Sequence, residues 1–433
     1  MGKVIRFVGI LAGVVIASAW TLAFAQTVDC FNQLPGCLDA GFGVNGRVTV
    51  PSGMDVNDVA FQIVGGEERI VVVGETYPTK RTPKSWIIVR YLPNGSLDPS
   101  FGSGGIVQMT PKSGFYTAGG VVVQPDNKLV VAGYGYYTSK LDLPIVARYN
   151  ENGSPDSTFG SGGKVSVLCV SNLKMPGAAA AVTLQADGKI LITGQYGWIS
   201  NRRLFVCRLN GNGQLDTSFN GTGQYLIMDA IGDGSGIVTQ WIEQEERIVV
   251  VGTLFSGPYS CSYPAAAVLR FRSSGQLDTS FNMSGRVVMD DNYAYAGAVA
   301  VDSSNRLLAL ISAGLARFDV AGALDPTFGV SGIANLRQEG YWWEAGFAIQ
   351  PNQEILVTGG FENYLAIKRL DANGAADPDF GTDSLVTTLF GVNYYGGYIA
   401  VQSGQSGHKF VVAGTSDKNP ALACYWHESP PPQ

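Results

Sequence analysis

Short apolar runs recur along the chain, most of them ending in glycine: RIVVVGE from Arg69, KLVVAGY from Lys128, KILITGQ from Lys189, RIVVVGT from Arg247, RLLALIS from Arg306, EILVTGG from Glu354 and KFVVAGT from Lys409. They are too short for helices, lack a 3.6-residue period and are rich in β-branched residues, which predicts strands buried on both faces. An apolar segment and a tight turn precede each, as in GVVVQPDNK before Leu129, and a third strand follows, as in IVARYNENG from Ile145. A polar undecapeptide comes next. Its seven copies are GCLDAGFGVNG from Gly36, GSLDPSFGSGG from Gly95, GSPDSTFGSGG from Gly153, GQLDTSFNGTG from Gly213, GQLDTSFNMSG from Gly275, GALDPTFGVSG from Gly322 and the eroded GAADPDFGTDS from Gly374. A fourth strand then closes the unit, as in GKVSVL from Gly163.

Four strands per repeat, seven repeats and both faces of each small sheet buried predict an all-β fold, a seven-bladed β-propeller of four-stranded antiparallel blades. A β-solenoid is the main rival, but solenoid units usually run 20–30 residues with one strand per face. Here the motif aspartates Asp39, Asp98, Asp156, Asp216, Asp278, Asp325 and Asp377 lie 47–62 residues apart. The last repeat stops after its third strand, ALACYWH from Ala421, whereas the first opens with the Asp-Phe motif and a fourth strand, GRVTV from Gly46. Pairing these two segments in one composite blade would remove two exposed sheet edges. A disulfide from Cys30 or Cys37 to Cys424 would staple that seam; a local Cys30–Cys37 bridge is the alternative.

Within the motif, glycine suits a positive-φ turn, aspartate suits acceptance of backbone N–H bonds, and leucine and phenylalanine suit the space between sheets. Repetition in every blade argues for structure, since a ring usually carries one active site. Arg90, Arg148, Arg208, Arg270, Arg317 and Arg369 share one position of the third strand, with Cys424 as the seventh, and are expected to meet carbonyls or the motif aspartate. Asp371 to Asp377, DANGAAD, has the look of a calcium loop, but without a downstream bidentate glutamate an aspartate-stabilised turn is the reading taken. The Asn94, Asn152 and Asn220 sequons arise from the same turns. These motifs, with their "pdGkivvaG" and "aRyn.nGsLDpsFG.gG" character over residues 36–427, resemble the delta-60 repeat family of bacterial exported proteins. The resemblance implies a propeller-like domain and brings no activity or catalytic residues; Cys37, Ala376 and Cys424 depart from its pattern.

Composition narrows the function classes. Of 433 residues, 29 are basic and 35 acidic, and no lysine or arginine run occurs, which argues against nucleic-acid partners. Lys3 and Arg6, the apolar run from Phe7 to Leu22 and Ala23-Phe24-Ala25 predict a secretory signal peptide over 1–25, in preference to a membrane anchor. No later stretch approaches the ~20 apolar residues of a spanning helix. The expected organisation is therefore a signal peptide at 1–25, a propeller over 26–428 and a disordered Pro-rich tail at 429–433, in a monomer exported to periplasm, cell surface or medium. Cys30, Cys37, Cys169, Cys207, Cys261 and Cys424 permit disulfides after export. With only His408 and His427 and no Cys-x-x-Cys, neither a metal nor a cofactor is expected.

One face is rich in aromatics. Loops between second and third strands, and loops entering the innermost strands, would present Tyr116, Tyr136, Trp198, Tyr259, Tyr293, Tyr295, Tyr341, Trp342, Trp343, Tyr394 and Tyr395, interspersed with Asp229, Asp233, Asp290, Asp291, Glu339 and Glu362. Planar rings with a few carboxylates around a depression suit a glycan or an envelope or surface protein. The leading expectation is a non-enzymatic binding module. A carboxylate-dependent glycan-processing enzyme, with a pair such as Asp291 and Glu339, and a structural envelope protein are the alternatives.

Overall fold

Each repeat becomes one four-stranded antiparallel sheet in the computed structural model of the protein. The structure describes residues 35–49, 53–80, 82–111, 114–136, 142–167, 175–198, 201–255, 264–289, 295–336, 342–361, 364–382, 384–391, 394–402 and 409–427, with the side chains of residues 136, 342–345, 361 and 395 excepted. The segment expected to be a signal peptide, Cys30 and the expected Pro-rich tail lie outside it. The first strand, β1 (Arg47–Thr49), belongs to the seventh blade. The first blade holds β2 (Met54–Val64), β3 (Glu67–Thr76), β4 (Trp86–Tyr91) and β5 (Ile106–Met109). The second holds β6 (Phe115–Val123), β7 (Leu129–Tyr136), β8 (Asp142–Tyr149) and β9 (Lys164–Ser166). The third holds β10 (Gly177–Leu184), β11 (Ile190–Tyr196), β12 (Arg203–Leu209) and β13 (Gln224–Leu226). The fourth holds β14 (Ile231–Ile242), β15 (Glu245–Phe255), β16 (Pro264–Arg272) and β17 (Arg286–Met289). The fifth holds β18 (Ala296–Val301), β19 (Leu307–Ile311), β20 (Gly314–Phe318) and β21 (Ile333–Ala334), and the sixth β22 (Trp342–Ile349), β23 (Ile355–Phe361), β24 (Tyr364–Leu370) and β25 (Leu385–Leu389). The seventh takes β26 (Tyr394–Val401), β27 (Lys409–Ser416) and β28 (Asn419–Trp426), with β1 as its outer strand.

The apolar runs are the second strands, and both their faces are buried: Val71, Val72 and Val73 are fully covered, as are Val130, Val131 and Ala132. Alternate residues of one strand therefore enter two different cores. Val71 and Val73 pack with the second blade, whereas Ile70 and Val72 pack with the seventh. The innermost strands β2, β6, β10, β14, β18, β22 and β26 each touch the next, and β26 touches β2, so the ring is continuous. In the seventh sheet Arg47 lies opposite Ala423, Val48 opposite Leu422 and Thr49 opposite Ala421. Cys424 is a free, buried thiol, so the expected staple through it is not formed; the local alternative needs Cys30, outside the described residues.

The undecapeptide makes the junction between neighbouring blades. In six blades the third-strand arginine gives its Nε–H to the motif aspartate at 2.6–2.9 Å: Arg90 to Asp98, Arg148 to Asp156, Arg208 to Asp216, Arg270 to Asp278, Arg317 to Asp325 and Arg369 to Asp377. The same guanidinium lies over the motif phenylalanine, 4.4–4.9 Å from the ring centre. Its Nη1 then donates into the next blade, to the carbonyls of Glu151, Gly211, Ser273, Val320, Ala372 and His427 in turn. The aspartate's other oxygen accepts from the residue two positions on, as from Ser100 N–H and Oγ–H at 2.9 and 2.6 Å. Glycine is required at the motif's head because a Cβ on Gly153 (φ +84°) would fall 2.9 Å from the Phe101 ring of the preceding blade.

Where Cys424 replaces arginine, Lys409 reaches Asp39 at 2.7 Å and lies over Trp426, and among the described residues no cationic side chain crosses to the first blade in the arginine's manner. The arginine pairs are also anchored against acid. Burial raises the Asp156 carboxyl, but the Thr158 hydroxyl and N–H and the Arg148 charge outweigh it and hold it at about 2. Its folded-state value lies below the unfolded one, so its stabilisation is present above about pH 4 and is lost as pH falls towards 2. Arg270→Met removes both the Nε–H bond to Asp278 and the bridge to the Val320 carbonyl, although Arg247 stays 3.0 Å from the carboxylate, and should cost about 3–5 kcal/mol, as two charge-assisted bonds supply. Lys409→Met, at a half-buried pair, should cost clearly less. Urea denaturation of the two variants checks the order; equal losses would refute this account of the junctions.

Candidate functional site

The seven innermost strands share a further irregularity. Each breaks register once against its second strand, between Val56 and Asp58, Ala118 and Gly120, Ala179 and Ala181, Gly234 and Gly236, Ala296 and Val299, Glu344 and Gly346, and Gly396 and Tyr398. One extra residue per strand makes a β-bulge, which bends the strand and re-aims the side chains beside it. The bulge also presses a carbonyl onto the second strand. A Cβ on Gly74, Gly133, Gly194 or Gly252 would stand 1.8–2.1 Å from the carbonyl oxygen of Asp55, Thr117, Ala178 or Asp233, respectively. The terminal glycine of the apolar run is thus a mid-strand residue reserved for this contact.

The bulges sit where the innermost strands enter the ring, and they are tied to one another across blades. Asn57 Nδ2 donates to the Ala118 carbonyl at 2.7 Å, Ser235 Oγ donates to the Ala296 carbonyl, and Thr358 Oγ1 donates to the Gly397 carbonyl. Asp58 accepts from its neighbour Val59 N–H at 2.8 Å and from Val121 N–H of the second blade at 2.8 Å. Above this girdle opens a cavity of about 740 Å³ lined by Asn57, Thr117, Gly119, Tyr134, Asp142, Gln195, Trp198, Asp233, Ser235 and Tyr398, among others. A second hollow, about 570 Å³, adjoins it through Tyr134 and is walled by Lys80, Lys84 and Phe115.

Register explains the lining. Asp55, Thr117, Ala178, Asp233, Trp343 and Tyr395 occupy one position, two residues before the bulge, and stand opposite Glu75, Tyr134, Gln195, Thr253, Gly360 and Thr415. The preceding position turns the other way. Met54, Tyr116 and Tyr394 occupy it, and all three are buried. Tyr116 and Tyr394, expected on the ligand face, are therefore core residues: Tyr116 packs between the first two blades, and Tyr394 stacks on Phe390 with ring centres 5.5 Å apart. Trp198 and Tyr295 are exposed, at 56% and 54%. Trp342, Trp343 and Tyr395 lie on innermost strands and Tyr136 at the end of β7, but their side chains are outside the described residues, as are Tyr259, Tyr293, Tyr341, Asp291 and Glu339. Asp229 makes an exposed pair with Arg286 at 2.8 Å, away from the cavity. The carboxylate of Asp371 accepts Asn373 N–H and Ala375 N–H, both at 2.8 Å, and is used by its own turn.

Trp198 is held by its backbone: its N–H donates to Asn201 Oδ1 at 2.9 Å, and its carbonyl accepts Asn201 N–H at 2.8 Å. The carboxyls around the mouth share an upward shift. Burial pushes Asp142 up, and it pushes Asp233 up against the pull of Arg202, 3.0 Å away. Tyr398 is raised to about 12 by burial and by the charges of Asp58, Glu75 and Asp55. Thr117 Oγ1 is buried and finds no hydrogen-bond partner. Sequence reasoning named Asp233 and Trp198 but missed Asn57, Asp58, Thr117, Asp142, Gln195 and Tyr398. The glycine closing most of the apolar runs was the one available sign of the bulge that aligns them.

Burial outweighs the two N–H bonds at Asp58 and pushes its carboxyl up to about 6. The folded state then binds the proton more tightly than the unfolded chain, so ionisation costs stability, and the cost grows as pH rises from about 4 through 6. At neutral pH it amounts to about 3 kcal/mol. Asp58→Asn should accordingly gain stability relative to the native chain between pH 4 and pH 7.5. Thermal melts of both at the two pH values provide the check, and a difference that does not change with pH would contradict it.

Comparisons with known proteins follow the repeat. Residues 69–101, 124–159, 185–219 and 350–380 match the family model described as a domain of unknown function (DUF5122) beta-propeller. No curated protein matches the chain. Among solved structures, a protein of unknown function from Bacteroides caccae is 10% identical, with 78% of this chain and 84% of that one covered and a TM-score of 0.35. A polysaccharide lyase of family PL25, an ulvan lyase, is 11% identical over 88% of this chain and 96% of that one, with a TM-score of 0.47. Drosophila Semaphorin 1a, extracellular domains 1-2, is 8% identical over 88% of each chain, with a TM-score of 0.46. Likenesses of this degree concern the fold alone.

Proposed function

We propose that this chain is an exported, monomeric propeller of the delta-60 repeat type that acts as a binding module, without catalysis, through the mouth of its ring. The ligand class the mouth suits best is a glycan. The observation that carries this reading is the cavity of about 740 Å³ at the bulge girdle, in whose wall an exposed, backbone-anchored tryptophan stands beside Tyr134, Tyr398, Asn57, Gln195 and Asp142. Apolar ring faces of a sugar stack on such aromatics, while amide and carboxylate oxygens accept from its hydroxyls. The other surface, built from the undecapeptides, spends its carboxylates on arginines and turn N–H groups and keeps few for a ligand.

Intrinsic fluorescence and calorimetry of the purified protein, titrated with oligosaccharides and envelope extracts, test the reading. A saturable response lost in Trp198→Ala, with the far-ultraviolet circular dichroism unchanged, is expected. Saturable binding that Trp198→Ala leaves intact would place the ligand elsewhere and overturn it.

A further inference from the structure

The chemistry of the mouth is lopsided. Asp142 and Asp233 line it, and among the described residues no lysine, arginine or histidine does. Asp233 is paired with Arg202 at 3.0 Å, and Arg202 also lies over the Phe255 ring at 5.2 Å. Asp55, Asp58 and Glu75 lie on the neighbouring first blade, near Tyr398. Glu75 is paired with Lys84, which belongs to the adjoining hollow with Lys80. Among the described residues no cation is paired with Asp142, and burial alone pushes its carboxyl up. A carboxylate left desolvated and unpaired at the lip of a cavity is a costly arrangement that a bound cation would relieve.

Two further observations point to a ligand rather than to a stray acidic cluster. Thr117 is 6% exposed, lines the same cavity, and its hydroxyl has no partner. Buried hydroxyls are ordinarily satisfied, so this one is available to a polar atom that enters. Trp198 and Tyr134 line the same cavity and present aromatic surface, and aromatic faces attract organic cations as well as sugars.

We infer that the mouth recognises a protonated primary amine carried on a hydroxylated or aliphatic skeleton, with Asp142 receiving the ammonium and Trp198 and Tyr134 covering the carbons beside it. This rests on the binding reading above and narrows it from glycans in general to those bearing a free amino group. The same ammonium chemistry could come from a lysine side chain, and the test separates the two sources. Metal ions are a poorer match, because among the described residues no group of three or more histidine, cysteine or carboxylate side chains is placed to hold one.

The experiment is a calorimetric titration of the folded protein with four probes: a glucosamine tetramer, its fully N-acetylated counterpart, a lysine-containing peptide and the same peptide acetylated at Nε. Acetylation removes the charge and leaves the skeleton. The free amine should bind at least about tenfold more tightly than its acetylated partner, as one charge-assisted hydrogen bond supplies. Asp142→Asn should erase that preference, and added salt should weaken only the amine probes. Tighter binding of the glucosamine tetramer than of the lysine peptide would assign the amine to a sugar, and the reverse to a protein. Equal binding of acetylated and free forms, lost in Trp198→Ala, would overturn the amine assignment and leave the glycan reading standing. No binding by any of the four would count against both.

Discussion

Neighbouring blades are locked by one repeated knot: a guanidinium with an aspartate at its edge, a phenylalanine ring beneath it and the next blade's carbonyl at its tip. A two-sided sheet of four short strands cannot bury its apolar residues alone, so each blade depends on both neighbours. Apolar packing is non-directional and would tolerate slippage between sheets. The arginine removes that freedom, because it is planar, always charged, and has enough donors to satisfy aspartate, hydroxyl and foreign carbonyl at once. The carbonyl it reaches lies two residues before the glycine that receives the preceding phenylalanine ring, so ionic and apolar contacts fix the same register.

Once the blades are locked, the inner ends of the sheets have nowhere to spread. Seven innermost strands crowd around an axis, and the bulges relieve the crowding by bending each strand at the same height. Three of them are fastened to the next by a side chain, Asn57, Ser235 or Thr358. The mouth is what remains above the girdle, and the side chains that line it are chosen by register rather than by loop membership.

That distinction accounts for what could and could not be read beforehand. Architecture was legible because it rests on repeated residues: the β-branched runs, the spacing of the motif aspartates, and the arginine column with its single cysteine. The site was legible only in part. Counting aromatics by loop found Trp198, whose turn projects it outward, but it misassigned Tyr116 and Tyr394, because at the start of a strand one step in sequence decides between core and mouth. Asp58, Thr117 and Asp142 carry no motif and gain their significance from a bulge and from the blade beside them. The glycine of the first four apolar runs encoded that bulge, yet its reason is a carbonyl on another strand.

The short strand Arg47–Thr49 finds its partner about 370 positions later along the chain, at Ala421 to Ala423. Six blades can assemble from contacts that are local by comparison, but the seventh cannot exist until the last strand has been made. The opening segment must therefore wait, with its motif aspartate and Phe42 unsheltered, throughout synthesis. Loop closure over such a distance is slow compared with hairpin formation, and it places the rate-limiting encounter at the one junction that lacks a bridging arginine. A nascent chain of this design spends its most aggregation-prone interval nearly finished rather than newly begun.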